Sequence, residues 1–292
     1  MIANNVFYVV FLSQILLISY YYPKEVLSRI NRMVDTFPPS RYPKLYPDSI
    51  EMVQKGQRDY QILNHVILAI GFALMFAYGF LSAEYEVDQE HAEGLPIFFG
   101  AVQFLPFVLM EISGAKQFKL MRAANVRSTR VAQLHPRRLF DFVSPIIFVL
   151  AVVMFIAYIL IELYTPQFRF QLDKDTILKV SVMTVTNLLF GLIIIWSLSG
   201  KKLDPHQAHD DRMRQIGFTL RAIVFVSLAA SIFSIVTIVM GVNNWGRFEI
   251  IINSIYFQLI AVLAIGYPLR ALRLEEIDFS EYREDDLESQ VS

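Results

Sequence analysis

The sequence predicts an all-α integral membrane protein with seven transmembrane helices, and three observations support this prediction. First, 55% of the 292 residues are hydrophobic and only 18% are charged, whereas about a quarter of the residues in a soluble domain are charged. Second, the apolar residues occur in blocks of about twenty, the length of a helix that crosses a ~30 Å hydrocarbon core. Third, the basic residues are concentrated in a few loops, which is typical of loops on the cytoplasmic side.

The first predicted span, residues 1–22, is followed rather than preceded by positive charge. Its apolar run has an uncharged start, and Lys24, Arg29 and Arg32 come after it. A secretory signal peptide would begin with positive charge and end at a cleavage site made of small residues. We therefore expect a retained span, with the N-terminus outside and its other end in the cytoplasm.

The segment 23–61 is predicted to be a cytoplasmic loop with two parts. Apolar residues recur at helical spacing from Val26 to Phe37, which predicts an amphipathic helix lying in the membrane interface. A Pro/Tyr stretch from Phe37 to Pro47 follows. It is expected to end the helix, because each proline fixes φ and removes an N–H donor.

The six remaining spans are predicted to form three hairpins. Their bounds are 62–81 and 97–112 (hairpin one, 62–112), 143–163 and 177–198 (hairpin two, 143–198), and 219–240 and 250–269 (hairpin three, 219–269). Cytoplasmic loops at 113–142 and 199–218 connect the hairpins, and residues 270–292 form an acidic cytoplasmic tail that is expected to be mobile at its end.

The loops differ sharply in charge, and this difference predicts the orientation. Residues 23–61, 116–138 and 199–218 carry seven, seven and four basic residues, whereas the N-terminus and the three opposite loops carry three in total. The opposite loop at 82–96 has five acidic residues and no basic one. Because Lys and Arg resist translocation, the C-terminus and the three basic loops are expected to be cytoplasmic. The chain has no Asn-x-Ser/Thr sequon, which favours a bacterial inner (cytoplasmic) membrane.

Polar residues within three of the spans define a candidate intramembrane site. Its members come from the third, fifth and seventh spans: Gln103, Lys179, Thr186, Asn187, Ser254 and Gln258. If these spans converge, the side chains would line a small polar cavity near mid-membrane, where transporters bind solutes. The favoured alternative is a set of interhelical hydrogen bonds, each contributing roughly 0.6 kcal/mol.

Opposite charges at the span ends suggest two structural ion pairs. Glu111 and Arg221 lie at similar depth near the inner interface, and Glu162 and Lys179 lie near the outer one. A gating pair is the alternative for the first of these, but side chains that pin helices or reach towards water are the favoured interpretation.

Two further surfaces are predicted from spacing and charge. Small residues on one face of the sixth span predict a helix-packing seam: Ser227, Ser231, Ser234, Thr237 and Gly241. The basic loop supplies candidate contacts for anionic lipids, a partner or the acidic tail from Glu275 onward: Lys116, Lys119, Arg122, Arg127, Arg130, Arg137 and Arg138.

The residues give no pattern for catalysis or for a cofactor. Cysteine is absent, which excludes thiolate chemistry, and His65 is the only histidine in a predicted span, so haem held by two histidines is not expected. A divalent metal could bind between Asp204 and Asp211, where two histidines lie among acids. A solvated loop is favoured there, because no pattern of enclosing ligands is present. We therefore expect no metal, no cofactor and no enzyme activity.

Two functions fit these predictions. The first is a non-enzymatic scaffold, regulatory or accessory subunit that acts through its cytoplasmic face and binds a membrane or cytoplasmic protein or a second copy of itself. The second is a transporter or channel for a small solute or ion. Gly and Pro are sparse in the spans, whereas transporters commonly use both in broken helices, so the first function is favoured. No nucleic-acid partner is expected; the net charge of -1 hides loops of opposite sign and carries no information on this point.

Overall fold

The computed structural model describes residues 2–84, 89–124, 137–164, 173–200 and 202–283, and all regular structure in these ranges is helical. Several predictions fall on residues outside these ranges. They concern residues 85–88 of the acidic loop, the lipid contacts assigned to Arg127 and Arg130, and the end of the tail from residue 284.

Seven helical segments of the described chain are long and apolar enough to cross a membrane, so the chain is a multi-pass integral membrane protein. Each segment overlaps one predicted span. The helices are α1 Ile2–Leu16, α2 Tyr22–Thr36, α3 Ile50–Glu84, α4 Gln89–Ala124, α5 Pro145–Tyr164, α6 Lys174–Ser199, α7 His209–Val242, α8 Glu249–Ala261 and α9 Tyr267–Ala271. The pair α1 and α2 forms the first segment, and the pair α8 and α9 forms the seventh.

Two π-helical turns join these paired helices. Leu17–Tyr21 connects α1 to α2, and Val262–Gly266 connects α8 to α9. The first helical segment therefore continues through Pro23, which lies in the first turn of α2 directly after the π-helical turn. The second turn packs against α2, and a Cβ at position 266 would collide with the Tyr22 hydroxyl. Glycine at position 266 thus permits this close contact.

The helices form two sub-bundles. In the large sub-bundle, α1, α3, α4 and α8 pack around aromatic and branched side chains. Phe11 contacts Phe99 edge to face, with their ring centroids 5.7 Å apart, and Gly71 leaves room for the same Phe99 ring. The small sub-bundle contains α5, α6 and α7, and α5 packs along α7 around the fully buried Leu220. Contacts between α7 and α8 join the two sub-bundles.

The basic segments of the chain meet at one end of the bundle, which we call the basic end. Several helices extend into it beyond their predicted spans: α3 begins at Ile50 rather than at residue 62, and α4 continues to Ala124 rather than ending at residue 112. Hydrogen bonds from arginines to backbone carbonyls join its segments. Arg29 donates to the Leu269 carbonyl at 2.9 Å, and Arg122 donates to the Lys202 carbonyl.

Candidate functional site

Gln103 lies fully buried at the centre of the large sub-bundle, where it contacts two polar residues of the first helix. The Gln14 side-chain amide donates to Gln103 Oε1 at 2.9 Å, and Gln103 Nε2 donates to Ser19 Oγ at 2.8 Å. Gln14 is also fully buried, and the sequence analysis missed it. A polar residue in the middle of an otherwise apolar run is the sequence signal that could have identified Gln14, because a buried amide needs a hydrogen-bond partner.

Ser254 and Gln258 also bond to the first helix. Ser254 Oγ and Gln258 Nε2 donate to the Val10 carbonyl at 3.3 Å and 3.1 Å, and Ser13 Oγ donates to Gln258 Oε1 at 3.1 Å. These three side chains connect α1 to α8. Three of the six candidate residues, counting Gln103, therefore contact the first span.

The three candidates on α6 bond within the small sub-bundle instead. Thr186 Oγ1 donates to the carbonyl of Val182 in its own helix at 2.9 Å. Asn187 accepts a 2.6 Å hydrogen bond from Ser227 Oγ of α7. Lys179 Nζ lies 3.4 Å from a carboxylate oxygen of Glu162. Within the described part of the chain, the polar contacts of the six residues thus fall into two sub-bundles, and none of them joins α6 to α4 or α8.

The two candidate ion pairs differ in the structure. Glu162 and Lys179 form a pair in which the Glu162 side chain is 8% exposed and the Lys179 side chain is 64% exposed. Glu111 and Arg221 do not pair: both are exposed, and Arg221 Nε donates to the Phe142 carbonyl at 2.8 Å. That bond connects α7 to the loop before α5, so Arg221 has a structural contact of another kind.

The residues of the predicted packing seam on α7 differ in burial. Ser231 is fully buried and donates to the Ser227 carbonyl at 3.0 Å, and Thr237 Oγ1 donates to the Ser234 carbonyl at 2.9 Å. These bonds to the helix's own carbonyls satisfy the hydroxyls without a partner helix. Gly241 is exposed, and a Cβ there would meet nothing within 4 Å.

The described members of the basic loop divide into exposed side chains and side chains that bond to backbone carbonyls. Lys116 and Lys119 are exposed on the last turns of α4, and Arg138 is exposed at the start of the next element. Arg122 donates to the Lys202 carbonyl, and Arg137 donates to the Leu198 carbonyl at 3.3 Å. Contact of these cations with anionic lipid or a partner stays a prediction.

Three segments that are distant in the sequence pack together at the basic end. We call them the tail platform: residues 37–47, 202–211 and 272–283. The tail folds back so that Phe279 and Tyr282 are buried against Tyr42 of the Pro/Tyr stretch. The Phe37 and Phe279 ring centroids lie 4.0 Å apart. Arg283 donates to the Tyr42 hydroxyl at 3.1 Å. The first part of the acidic tail is therefore packed.

Two buried aspartates hold the tail platform together. The Tyr282 hydroxyl donates to Asp204, and the backbone N–H of Asp278 donates to Asp211 Oδ2 at 2.8 Å. Asp211 also pairs with Arg214 at 2.9 Å, and Arg214 contacts Glu276 of the tail at 3.0 Å. The expectation of a solvated loop is wrong at Asp204 and Asp211, which are 8% and 6% exposed. Protein donors occupy these carboxylates.

The pKa values of two tyrosines reflect this packing. Burial raises the pKa of the Tyr46 hydroxyl to about 12, and that hydroxyl donates to the Phe37 carbonyl at 2.7 Å. Burial also raises the pKa of Tyr282, and the neighbouring Asp204 carboxylate raises it further. Both effects disfavour the charged phenolate, so Tyr46 and Tyr282 stay protonated at pH values where an ordinary tyrosine ionises.

Comparison with protein-family models, curated proteins and solved structures gives no significant match. The tail platform and the polar contacts of the bundle are therefore the features that bear on function. Among the described residues, His, Asp and Glu side chains form no group of three that could hold a metal ion.

Proposed function

We propose that the protein is a non-enzymatic membrane scaffold or accessory subunit that binds a protein partner through the basic end. The tail platform is the observation that carries this proposal. It brings three segments together outside the apolar core and fixes them with buried carboxylates, Asp204 and Asp211. A surface that is ordered before binding loses less conformational entropy when a partner docks.

The outer surface of the tail platform and the neighbouring helix end carry charges of both signs. Glu275 and Glu281 are exposed on the tail, and Lys116 and Lys119 are exposed on α4. Charged residues at the rim of an interface select the partner and steer its approach more than they add affinity. The proposed partner therefore presents complementary charges around a contact with the tail.

Purification of the full-length protein from its native membrane in mild detergent tests this proposal. A partner that co-purifies in fixed stoichiometry should be retained by Asp210→Ala and lost from Asp211→Ala, because only Asp211 bonds to the tail. Asp210 is an exposed residue on the same helical turn, so it controls for the loss of one negative charge. Equal recovery of the same proteins with both variants would contradict the proposal.

The proposed orientation places the basic end in the cytoplasm, in a bacterial inner membrane, and the charge of the loops supports it. The chain has no cysteine, so single cysteines can be labelled without background. We expect a membrane-impermeant maleimide to label Asn243→Cys in intact cells and Ser280→Cys only after permeabilisation. Both positions are exposed. Labelling of Ser280→Cys in intact cells would reverse the orientation.

A transporter is the second candidate, and one observation favours it. Gln14, Gln103 and Ser19 form a continuous polar chain inside the large sub-bundle. Such chains line solute paths in some transporters and join helices in other membrane proteins. Reaction of Gln103→Cys with a charged methanethiosulfonate reagent would show that solutes reach this depth and favour transport. Protection of that cysteine, together with reaction of an exposed Lys116→Cys control, would favour the structural role.

A further inference from the structure

A polar groove lies between α2 and the first turns of α3, at the basic end. Its cavity measures about 960 Å³. Tyr20, which lines the groove, is exposed where the first helix leaves its apolar run. Tyrosines at such positions are typical of the membrane–water interface. The groove therefore lies at the depth expected for lipid headgroups.

Positive charge predominates around the groove. Lys24, Arg32 and Arg58 line it, against one carboxylate, Asp35. Neither Lys24 nor Arg58 forms an ion pair within the described part of the chain. Arg32 lies 3.9 Å from Glu275, and both side chains are about two-thirds exposed, so water screens this contact. The rim therefore suits a phosphate group.

Buried polar groups form the inner wall of the groove. Asn64 is 3% exposed, and its amide nitrogen donates to the Tyr60 carbonyl at 2.8 Å. Its Oδ1 atom is buried and accepts no hydrogen bond from the described residues. Ser19 is also 3% exposed and lines the groove. A buried acceptor without a donor indicates a bound donor, either water or a ligand hydroxyl.

An apolar pocket of about 390 Å³ adjoins the groove and shares Leu27 and Gln57 with it. Its wall includes the side chains of Ile30, Met33 and Met110. Positive charge, an unsatisfied acceptor and adjoining apolar surface together match an anionic amphiphile that carries a hydroxyl group. We propose that the groove binds a polyol phosphate headgroup, of the kind found in phosphatidylglycerol.

Titration of the purified full-length protein with dioctanoyl phosphatidylglycerol, followed by native mass spectrometry, tests the role of charge. Each basic residue near an anionic headgroup contributes about a five-fold change in affinity. Lys24→Gln combined with Arg58→Gln should therefore weaken binding about 25-fold. Arg41→Gln combined with Arg273→Gln removes the same charge from exposed positions outside the groove and should change binding less than about two-fold. Equal losses in the two double variants, or no loss in the groove variant, would overturn the proposal.

A second comparison tests the hydroxyl contact without relying on a variant that must fold. The wild-type protein should bind phosphatidylglycerol about five-fold more tightly than phosphatidylmethanol, which has the phosphate but no headgroup hydroxyl. Asn64→Ala should lose this preference, and Asn64→Ser should keep part of it. Equal binding of the two lipids by the wild-type protein would refute the assignment of Asn64.

Glycerol 3-phosphate distinguishes the two sources of the headgroup. If the ligand is a lipid, glycerol 3-phosphate should displace dioctanoyl phosphatidylglycerol only at far higher concentration, because it lacks the chains that occupy apolar surface. Displacement at similar concentrations would assign the same site to a soluble polyol phosphate. Failure of glycerol 3-phosphate to displace the lipid at any concentration, together with equal retention of phosphatidylcholine, would overturn both forms of the proposal.

Discussion

Replacing Asp211 with alanine should release the tail without unfolding the bundle. The Asp211 carboxylate accepts the Asp278 N–H at 2.8 Å and pairs with Arg214 at 2.9 Å. Loss of a hydrogen bond to a charged group costs about 1.5–3 kcal/mol. Arg214 keeps its contact with Glu276 and is 40% exposed, so its share of the loss is small. We therefore expect the docked tail to lose about 2 kcal/mol, which corresponds to an open population about 30-fold larger.

Hydrogen–deuterium exchange of peptides covering residues 272–283 measures this change directly, because amide exchange reports local opening. Exchange in Asp211→Ala should be about 30-fold faster in this segment and unchanged in α5. The control Asp210→Ala removes a carboxylate from the same first turn of α7, so it reproduces any loss of interaction with the helix dipole. Equal exchange rates in residues 272–283 of the two variants would refute the proposed role of Asp211.

Three further predictions concern the bundle and pH. Gln103→Ala should lower the thermal unfolding temperature in detergent, because it leaves the Gln14 amide without its 2.9 Å acceptor. The double variant Gln14→Leu with Gln103→Leu should recover part of this loss, since no polar group is then buried unpaired. A double variant no more stable than the single one would contradict this prediction. Lys179→Met should destabilise the protein by about 1 kcal/mol, because it removes the partner of Glu162 from a pair whose lysine is exposed to solvent. The charge swap Glu162→Lys with Lys179→Glu should restore stability, and equal melting of all these variants would exclude the pair. Above pH 10 the unfolded chain ionises Tyr46, while the folded chain keeps it neutral up to a pKa of about 12. The tail platform should therefore lose stability between pH 10 and 12, and the Tyr46→Phe variant should lose less. Identical pH profiles of hydrogen exchange for the wild-type protein and Tyr46→Phe would disprove this.

The seven spans were predictable because their signal is local. A block of about twenty apolar residues is visible in the sequence, and each predicted block overlaps a helix long enough to cross a membrane. The helix ends were harder to predict. The helix α3 begins at Ile50, since a hydropathy window reports where apolar residues are dense and not where backbone hydrogen bonding stops.

The path of the chain at Pro23 shows a different limit. Proline usually marks a helix end in sequence, yet here it occupies the first turn of α2, directly after a π-helical turn. A π-helical turn adds one residue to a helix, and no local pattern predicts it. Sequence patterns therefore gave the amphipathic segment but not its continuity with the first span.

The candidate site depended on contacts between distant residues, and these could not be predicted. The sequence shows Gln103 as a polar residue inside a predicted span, but its partner Gln14 lies 89 positions away. The Asp204 contact with Tyr282 spans 78 positions. Hydropathy shows that a buried polar group needs a partner, while only packing decides which helix supplies it. For the same reason the tail, acidic and polar in composition, gave no sign that Phe279 and Tyr282 would be buried.

Photo-crosslinking in the native membrane tests the scaffold proposal most directly. A photoreactive amino acid at Ser280, which is exposed on the tail platform, should produce one discrete crosslinked partner protein. The same amino acid at Asn243, which is exposed in the turn after α7, should not produce that product. We expect Asp211→Ala to abolish the Ser280 crosslink and Asp210→Ala to preserve it. Absence of any protein crosslink at Ser280, or the same crosslinked product from Asn243, would contradict a scaffold that acts through the tail platform.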